Sequence, residues 1–288
     1  MSEILTVLQA TRLSEEYLRK KGISEPRANA ELLLAGILNC KRLDIYLQFD
    51  RPLNEKEKAL YREYLSRRAA GEPLQYILGE TDFFGLKFKI DSSVLIPRPE
   101  TELLVEEIIK DNAGKKELRI FEIGSGSGNI AIALRKNLSD AEVLSIDISA
   151  AAVRIARENA RLHSVSEYVR FEKADIFDDS FVENLHNFDI VVSNPPYVSA
   201  KEFDQLQKEI REFEPKEAVT DFGDGLSFYK RILELADKIM KSEGQIYFEI
   251  GHGQAEYVSA LLTEKGFEKV EVKNDFNGIA RIVKGEWR

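Results

Sequence analysis

The sequence contains one cysteine, three histidines, two methionines and one tryptophan in 288 residues. A single thiol, Cys40, allows no intrachain disulfide and no Cys-rich zinc site. A reducing, cytoplasmic setting is the natural expectation. Cys40 lies in an apolar run and reads as packing filler rather than as a nucleophile. His163, His186 and His252 show no metal-ligand spacing, so no metal site is expected. Only His252, in FEIGHG, follows a strand at what would be a ligand edge. Long apolar runs are missing too. The longest uncharged stretch, residues 123–134, is well short of the ~18 apolar residues of a membrane span. The first 22 residues carry charges throughout and read as an amphipathic helix, not a secretory signal. Basic residues are outnumbered, 41 Lys+Arg against 50 Asp+Glu, for a net charge of −9. Direct nucleic-acid binding, which needs clustered Lys and Arg, is not expected, although a local basic patch stays open.

What is present is ordinary globular material, 43% hydrophobic and 32% charged, long enough for one large or two smaller domains. Residues 1–70 carry helical signals only. Leu5 and Leu8 share a face of a first helix. Ser24 is placed to cap a second, with Pro26 in its first turn and Leu32, Leu33, Gly36 and Ile37 as its stripe. Asn54 and Glu57 have capping-box spacing for a third helix carrying Leu60 and Tyr64. Residues 71–97 read as a linker whose FFGLKFKI forms a β-hairpin. From residue 98 a helix starts at IPRPETELLVEEIIK, with Pro99 in its first turn and Glu100 and Glu102 favourable against the helix dipole.

A βα alternation follows. Strand-like runs are LRIFEI, EVLSID, YVRFE, FDIVVSN, GQIYFEIG, EKVEVK and IARIVKG. Ser149 caps the helix SAAAVRIARENARLHS, and a second clear helix spans roughly residues 226–242 with Gly244 after its end. This predicts an α/β fold with a doubly wound, mainly parallel sheet, its last two strands antiparallel, behind a small all-helical N-terminal domain.

The first strand runs into Gly124, Ser125, Gly126, Ser127 and Gly128, then into a helix. Such a loop lets a ligand approach backbone N–H groups at a helix N-terminus; it also suits a plain tight turn. Asp147 ends the next strand, 19 residues after Gly128, where a carboxylate accepts two hydrogen bonds from a ribose diol. Loop and acid together specify an adenosine-type ligand without separating NAD from S-adenosylmethionine. Asp175 and Ile176 follow the third strand, placed to meet an adenine or to form an ordinary turn.

The fourth strand ends in Asn194, Pro195, Pro196 and Tyr197. Two prolines remove two N–H donors and leave carbonyls free. The Asn194 side chain adds another acceptor, so an –NH₂ group can be held by both hydrogens. Tyr197 supplies a flat wall.

These features resemble the class I (Rossmann-like) S-adenosylmethionine-dependent amino-group methyltransferases. YILGETDFFG, LIPRPETELLVEE, SNPPYV, FEPKEAV and DGLSFY narrow the resemblance to the HemK/PrmC family. That family methylates the glutamine of the Gly-Gly-Gln motif in bacterial peptide chain release factors 1 and 2, a modification supporting translation termination. The resemblance implies S-adenosyl-L-methionine as cofactor. It implies Gly124 through Gly128 along its methionine and ribose, Asp147 on the ribose hydroxyls, Asp175 and Ile176 at the adenine, and Asn194 touching both cofactor and substrate. Asn194, Pro195 and Tyr197 would be the catalytic residues, Asn194 and the Pro195 carbonyl holding the glutamine amide, with Pro196 and Tyr197 in the pocket wall. Residues 98–288 would be the methyltransferase domain and residues 1–70 would recognise the protein substrate. The rivals are a glutamine methyltransferase of a ribosomal protein, an amino-methyltransferase of nucleic acid, and a non-catalytic adenosine-ligand sensor. The sensor gives no reason for Asn194 and Tyr197.

Overall fold

The computed structural model describes residues 5–288 and divides into two compact units. The first holds the chain up to Glu80 together with Lys208–Phe213; the second holds Thr81–Gln207 and Glu214–Arg288.

In the first unit, helices Val7–Lys20, Pro26–Leu38, Asp44–Leu47, Glu55–Ala69 and Leu74–Leu78 enclose Val7, Leu18, Leu33, Leu34, Ile45 and Tyr61. Thr6 with Gln9 and Asn54 with Glu57 form capping boxes, each satisfying donors at a helix start. Several expected faces are turned by one residue. Val7 and Ala10 are buried where Leu8 is exposed, and Tyr61 and Leu65 are buried in place of Leu60 and Tyr64. Leu33, Leu34 and Ala35 are the buried run of the second helix, with Leu32 and Ile37 half-buried and Gly36 exposed. Ser24 does not cap it; Glu25 occupies that position with φ 45° and Pro26 opens the helix. The short helix Asp44–Leu47 is tied down by Glu31, whose carboxylate accepts from Tyr46 Oη at 2.5 Å, Arg42 Nε at 2.7 Å and Arg27 Nε at 2.9 Å. Leu43 and Leu47 are left facing solvent, 75% and 82% exposed.

A hairpin of β1 (Glu80–Phe83) and β2 (Leu86–Lys89) follows, all but its first residue in the second unit. Its turn residues Phe84 and Gly85 both have positive φ, 51° and 71°, which suits the right-handed twist of the paired strands. Seven further strands form one sheet: β3 (Arg119–Ile123), β4 (Glu142–Asp147), β5 (Val169–Lys173), β6 (Phe188–Ser193), β7 (Met240–Glu249), β8 (Glu268–Asn274) and β9 (Ala280–Glu286). Their order is β5-β4-β3-β6-β7-β9-β8, parallel from β5 to β7, with β9 antiparallel to β7 and β8 antiparallel to β9. The sheet is therefore mixed and mainly parallel, and its last two strands pair as the sequence suggested. Chain order reverses between β3 and β6, which opens a crevice beyond their carboxyl ends.

The expected helix over 226–242 is shorter. It runs Ser227–Glu234, continues as one turn over Ala236–Ile239, and gives way to β7 at Met240. Gly244 is not a helix stop. It lies in β7 where the register with β6 slips between Phe188 and Ile190. A Cβ there would sit 2.9 Å from the Lys241 carbonyl oxygen, so the bulge requires glycine. One edge of the sheet is β5 and the other β8, which is mostly exposed, with Lys269 paired to Glu286, and Lys273 to Glu271.

Candidate active site

Strand β3 delivers the glycine loop to the crevice. The Gly124 and Ser125 N–H groups both donate to the Ile146 carbonyl at 2.9 Å, which pins the loop to β4. Gly124, Gly126 and Gly128 have φ of 88°, 49° and 80°. Gly128 starts helix Asn129–Asn137, and a Cβ on it would approach Phe171 Cζ to 2.9 Å. This glycine is required by packing against the sheet. By contrast, a Cβ on Gly126 would meet no atom within 4 Å.

Asp147 braces the loop from β4. Its Oδ2 accepts the Gly126 N–H and its Oδ1 the Ser149 N–H, each at 2.9 Å. Burial raises its pKa, and these two bonds oppose the rise. Helix Ala150–Leu162 is capped by Ser149, whose Oγ accepts from the Ala152 N–H at 3.2 Å. Asp175 folds its own turn, with Oδ1 accepting the Phe177 N–H at 2.9 Å.

A cavity of about 470 Å³ occupies the crevice. Gly124, Ser125, Gly126, Asp147, Asp175 and Ile176 line it, and so do Asn194 and Pro196 from the end of β6. Ser127, Gly128, Pro195 and Tyr197 do not. Ser127 is buried and donates to Asn129 Oδ1 at 3.1 Å. His252 is exposed and outside the wall. The Ser125 hydroxyl is buried at the wall beside Asp147, whose pKa it helps to lower.

The amide of Asn194 is not free at both ends. Its Nδ2 donates to Thr101 Oγ1 at 3.2 Å, and that hydroxyl donates to Glu249 Oε2 at 2.6 Å. Tyr197 Oη donates to the other oxygen of Glu249 at 3.4 Å. Glu249 is fully buried, and burial pushes its pKa up to about 7 with Glu100 adding to the rise, against the opposing bonds from Thr101 and Tyr197 and the charge of Arg281.

Two stretches of the chain match family models: residues 9–79 the PrmC N-terminal domain, and residues 114–278 a methyltransferase domain. A release factor glutamine methyltransferase of Fusobacterium nucleatum subsp. nucleatum is 40% identical over 271 residues, 94% of this chain and 76% of that one. Its counterpart from Geobacter sulfurreducens is 39% identical over 285 residues, 98% of this chain and 97% of that one. The chain belongs to the release factor glutamine methyltransferase family. Its fold is shared with the hMettl16 catalytic domain, solved in complex with the MAT2A 3'UTR hairpin 6, at 16% identity and a TM-score of 0.55, covering 83% of this chain and 85% of that one.

In this member of the release factor glutamine methyltransferase family, several polar residues that sequence reasoning passed over shape the site. Thr101 and Glu249 are two of them. Arg98, to which the sequence assigns no contact, is a third: its Nη2 pairs with Glu214 at 2.5 Å, and Glu214 also accepts the Ile96 N–H at 3.3 Å. The pair ties the segment bearing Pro97 to the one bearing Pro215 and Ala218, all cavity wall. Gln254 is a fourth. Its Nε2 donates to the Tyr197 carbonyl at 3.0 Å and its Oε1 accepts the Gly251 N–H at 2.9 Å, fixing the turn after β6. A charged residue inside an apolar strand, as in IYFEI, was the available signal for Glu249.

IFEI holds another such acid. Glu122 is fully buried on β3 beneath the loop, hydrogen-bonded by Ser145 Oγ. Burial, with the nearby Asp147 charge, pushes its pKa up to about 8 from 4.5. The folded protein thus keeps a proton that the unfolded chain releases, so this contribution to stability is present at low pH and lost as pH rises from about 4.5 to 8. Glu122→Gln removes the ionisation. Thermal unfolding should show a smaller loss of Tm between pH 5 and pH 8 in the variant than in the parent. An equal loss would mean that Glu122 titrates normally.

Among the described residues no cluster of three or more His, Cys, Asp or Glu is placed to hold a metal, and no helix is long and apolar enough to cross a membrane.

Proposed function

We propose that this chain transfers a methyl group from S-adenosyl-L-methionine to the side-chain amide nitrogen of the glutamine in the Gly-Gly-Gln motif of peptide chain release factors 1 and 2, in the cytoplasm. Membership of the family supports the reaction. The observation that carries the assignment of the acceptor is Asn194, a side-chain amide in the cavity wall whose N–H end is engaged by Thr101, leaving a carbonyl acceptor.

The cavity suits the cofactor. Gly126 leaves open space where a side chain would stand, and Ser125 brings a hydroxyl to the wall beside Asp147. We assign Gly124, Ser125 and Gly126 to the methionine and ribose part, Asp147 to the ribose hydroxyls, and Asp175 and Ile176 to the adenine. Ser127 and Gly128 shape the loop. When bound, the cofactor supplies an electrophilic methyl group on a sulfonium.

An amide nitrogen is a poor nucleophile because its lone pair is delocalised into the carbonyl. We assign Asn194 Oδ1, in the cavity wall, and the Pro195 carbonyl, in the same turn though not itself part of that wall, to accept one N–H bond each, which raises electron density at nitrogen and aims the lone pair. Pro195 and Pro196 present no N–H donor, so the turn offers acceptors only. Tyr197 stiffens the turn through Glu249 and Gln254. Alignment of this kind can lower a barrier by up to ~7–11 kcal/mol. The proton leaves to water after transfer, when nitrogen is far more acidic.

We assign residues 1–70 to recognition of the protein substrate, residues 71–97 to the linker and residues 98–288 to methyl transfer. The outward Leu43 and Leu47, at the two ends of a short helix tied to Glu31 through Tyr46, support the first of these.

Transfer of labelled methyl to release factor, ribosomal protein and nucleic acid, offered separately, tests the reading. Label should enter release factor alone and be lost when its Gly-Gly-Gln glutamine is changed. Label in either other substrate in preference would overturn it. In the same assay Leu47→Asp should raise KM for intact release factor about tenfold, the scale of one buried leucine, and leave a Gly-Gly-Gln peptide unaffected.

A further inference from the structure

We infer that Thr101 and Glu249 are positioning residues that decide which end of the Asn194 amide faces the substrate pocket, and that they thereby make the pocket select an amide over a carboxylate. This rests on the function proposed above.

The two ends of an asparagine amide are nearly the same size and opposite in hydrogen-bonding character. A half-turn of the side chain would put –NH₂ where the carbonyl stands. The pocket would then offer a donor, which suits glutamate rather than glutamine. Something outside the amide must fix its direction.

The chain of bonds behind Asn194 does so. Ionised, as it is above a pH of about 7, Glu249 only accepts. It takes the Thr101 hydroxyl proton at 2.6 Å on one oxygen and the Tyr197 proton at 3.4 Å on the other. Thr101 has one proton to give. Once it is committed, the threonine oxygen facing Asn194 can only accept, and it takes Nδ2 at 3.2 Å. Thr101 is 2% exposed and Glu249 also 2%, so water does not compete for these bonds. The flipped amide would set its carbonyl oxygen against an oxygen with no proton left. Three elements meet here: the start of helix Pro99–Asp111, the turn after β6 and the end of β7. The Tyr229 hydroxyl, donating to the Glu249 backbone carbonyl at 2.8 Å, holds the end of β7 in place.

Thr101→Val keeps the shape and removes the hydroxyl. Single-turnover methyl transfer to a Gly-Gly-Gln peptide should fall about tenfold to a hundredfold, as expected when one buried hydrogen bond that orients a reacting group is lost. Calorimetric affinity for S-adenosylmethionine should be unchanged. Thr101→Ser, which restores the hydroxyl, should recover the rate to within about threefold. The discriminating readout is inhibition by the matching Gly-Gly-Glu peptide. Relative to Gly-Gly-Gln it should bind several-fold better to Thr101→Val than to the parent, because the amide can then turn its –NH₂ outward. A purely structural role would weaken both peptides alike. A parent-like rate in Thr101→Val, or a loss of rate with no change in the Gln/Glu ratio, would overturn the inference and leave the proposed function standing. Failure of the parent protein to methylate the peptide would instead overturn that function.

Discussion

Asn194→Ala should lower single-turnover methyl transfer to a Gly-Gly-Gln substrate by about a hundredfold to a thousandfold, the range for removing one preorganised hydrogen-bonding group from an active site. The side chain reaches the Thr101 hydroxyl at 3.2 Å and forms cavity wall, but its removal leaves strands β3 and β6 paired through Ile123 and Ser193. The fold should therefore survive. The loss should appear in turnover more than in KM, because lone-pair localisation and alignment matter most in the transition state. Asn194→Asp separates the two ends of the amide. It keeps an acceptor of the same size, loses the donor to Thr101 and adds a charge beside a hydroxyl already committed to Glu249. Its rate should lie above Ala and below the parent. Saturating cofactor and rapid quenching make the comparison clean. A parent-like rate in Asn194→Ala would sink the amide-holding mechanism.

Gly225→Ala should be nearly as damaging although residue 225 does not line the cavity. Gly225 has φ 79°, a conformation that disfavours a side chain. A Cβ there would stand 2.2 Å from the Tyr197 carbonyl oxygen, which is backbone and cannot turn away. Either the loop of Asp221–Ser227 or the turn after β6 must move. The first is stitched by Asp221, which accepts the Gly223 and Gly225 N–H groups at 2.8 and 2.9 Å. The second is held by Gln254 at 3.0 Å. A displacement of ~1 Å at the acceptor turn can cost ~100-fold in rate. The expected result is a loss of that order, a lower Tm, and S-adenosylmethionine affinity within a few-fold of the parent. Full activity would show that the turn tolerates a shift this size.

How far the sequence could be read depended on whether a feature was local. The seven strands, the glycine loop and the Asn-Pro-Pro-Tyr turn are contiguous, and periodicity and turn chemistry expose them directly. Helix faces in the first unit came out one residue off. A shift of one position rotates a face by only about 100°, and Leu8 or Leu60 satisfies the apolar pattern as well as Val7 or Leu65 does. Gly244 was read as a helix stop because glycine serves both a C-cap and a bulge; the contact that decides between them is the Phe188 carbonyl, 3.2 Å from where its Cβ would be. Glu249 and Thr101 meet across 148 residues. No window of sequence contains both, so an acid inside IYFEI could be seen while its partner could not.

The charged outer strand bears on how the molecule can assemble. An open edge of a sheet is a template for another strand, and unguarded edges lead to aggregation. On β8 the alternation EKVEVKN sets Lys269, Glu271 and Lys273 along the rim, each paired to a neighbour within reach of water. A second chain adding itself there would have to strip water from those ions, which opposes pairing. Growth by strand addition is closed from that side. On that side a large partner is left to meet the protein through side chains rather than by extending its sheet.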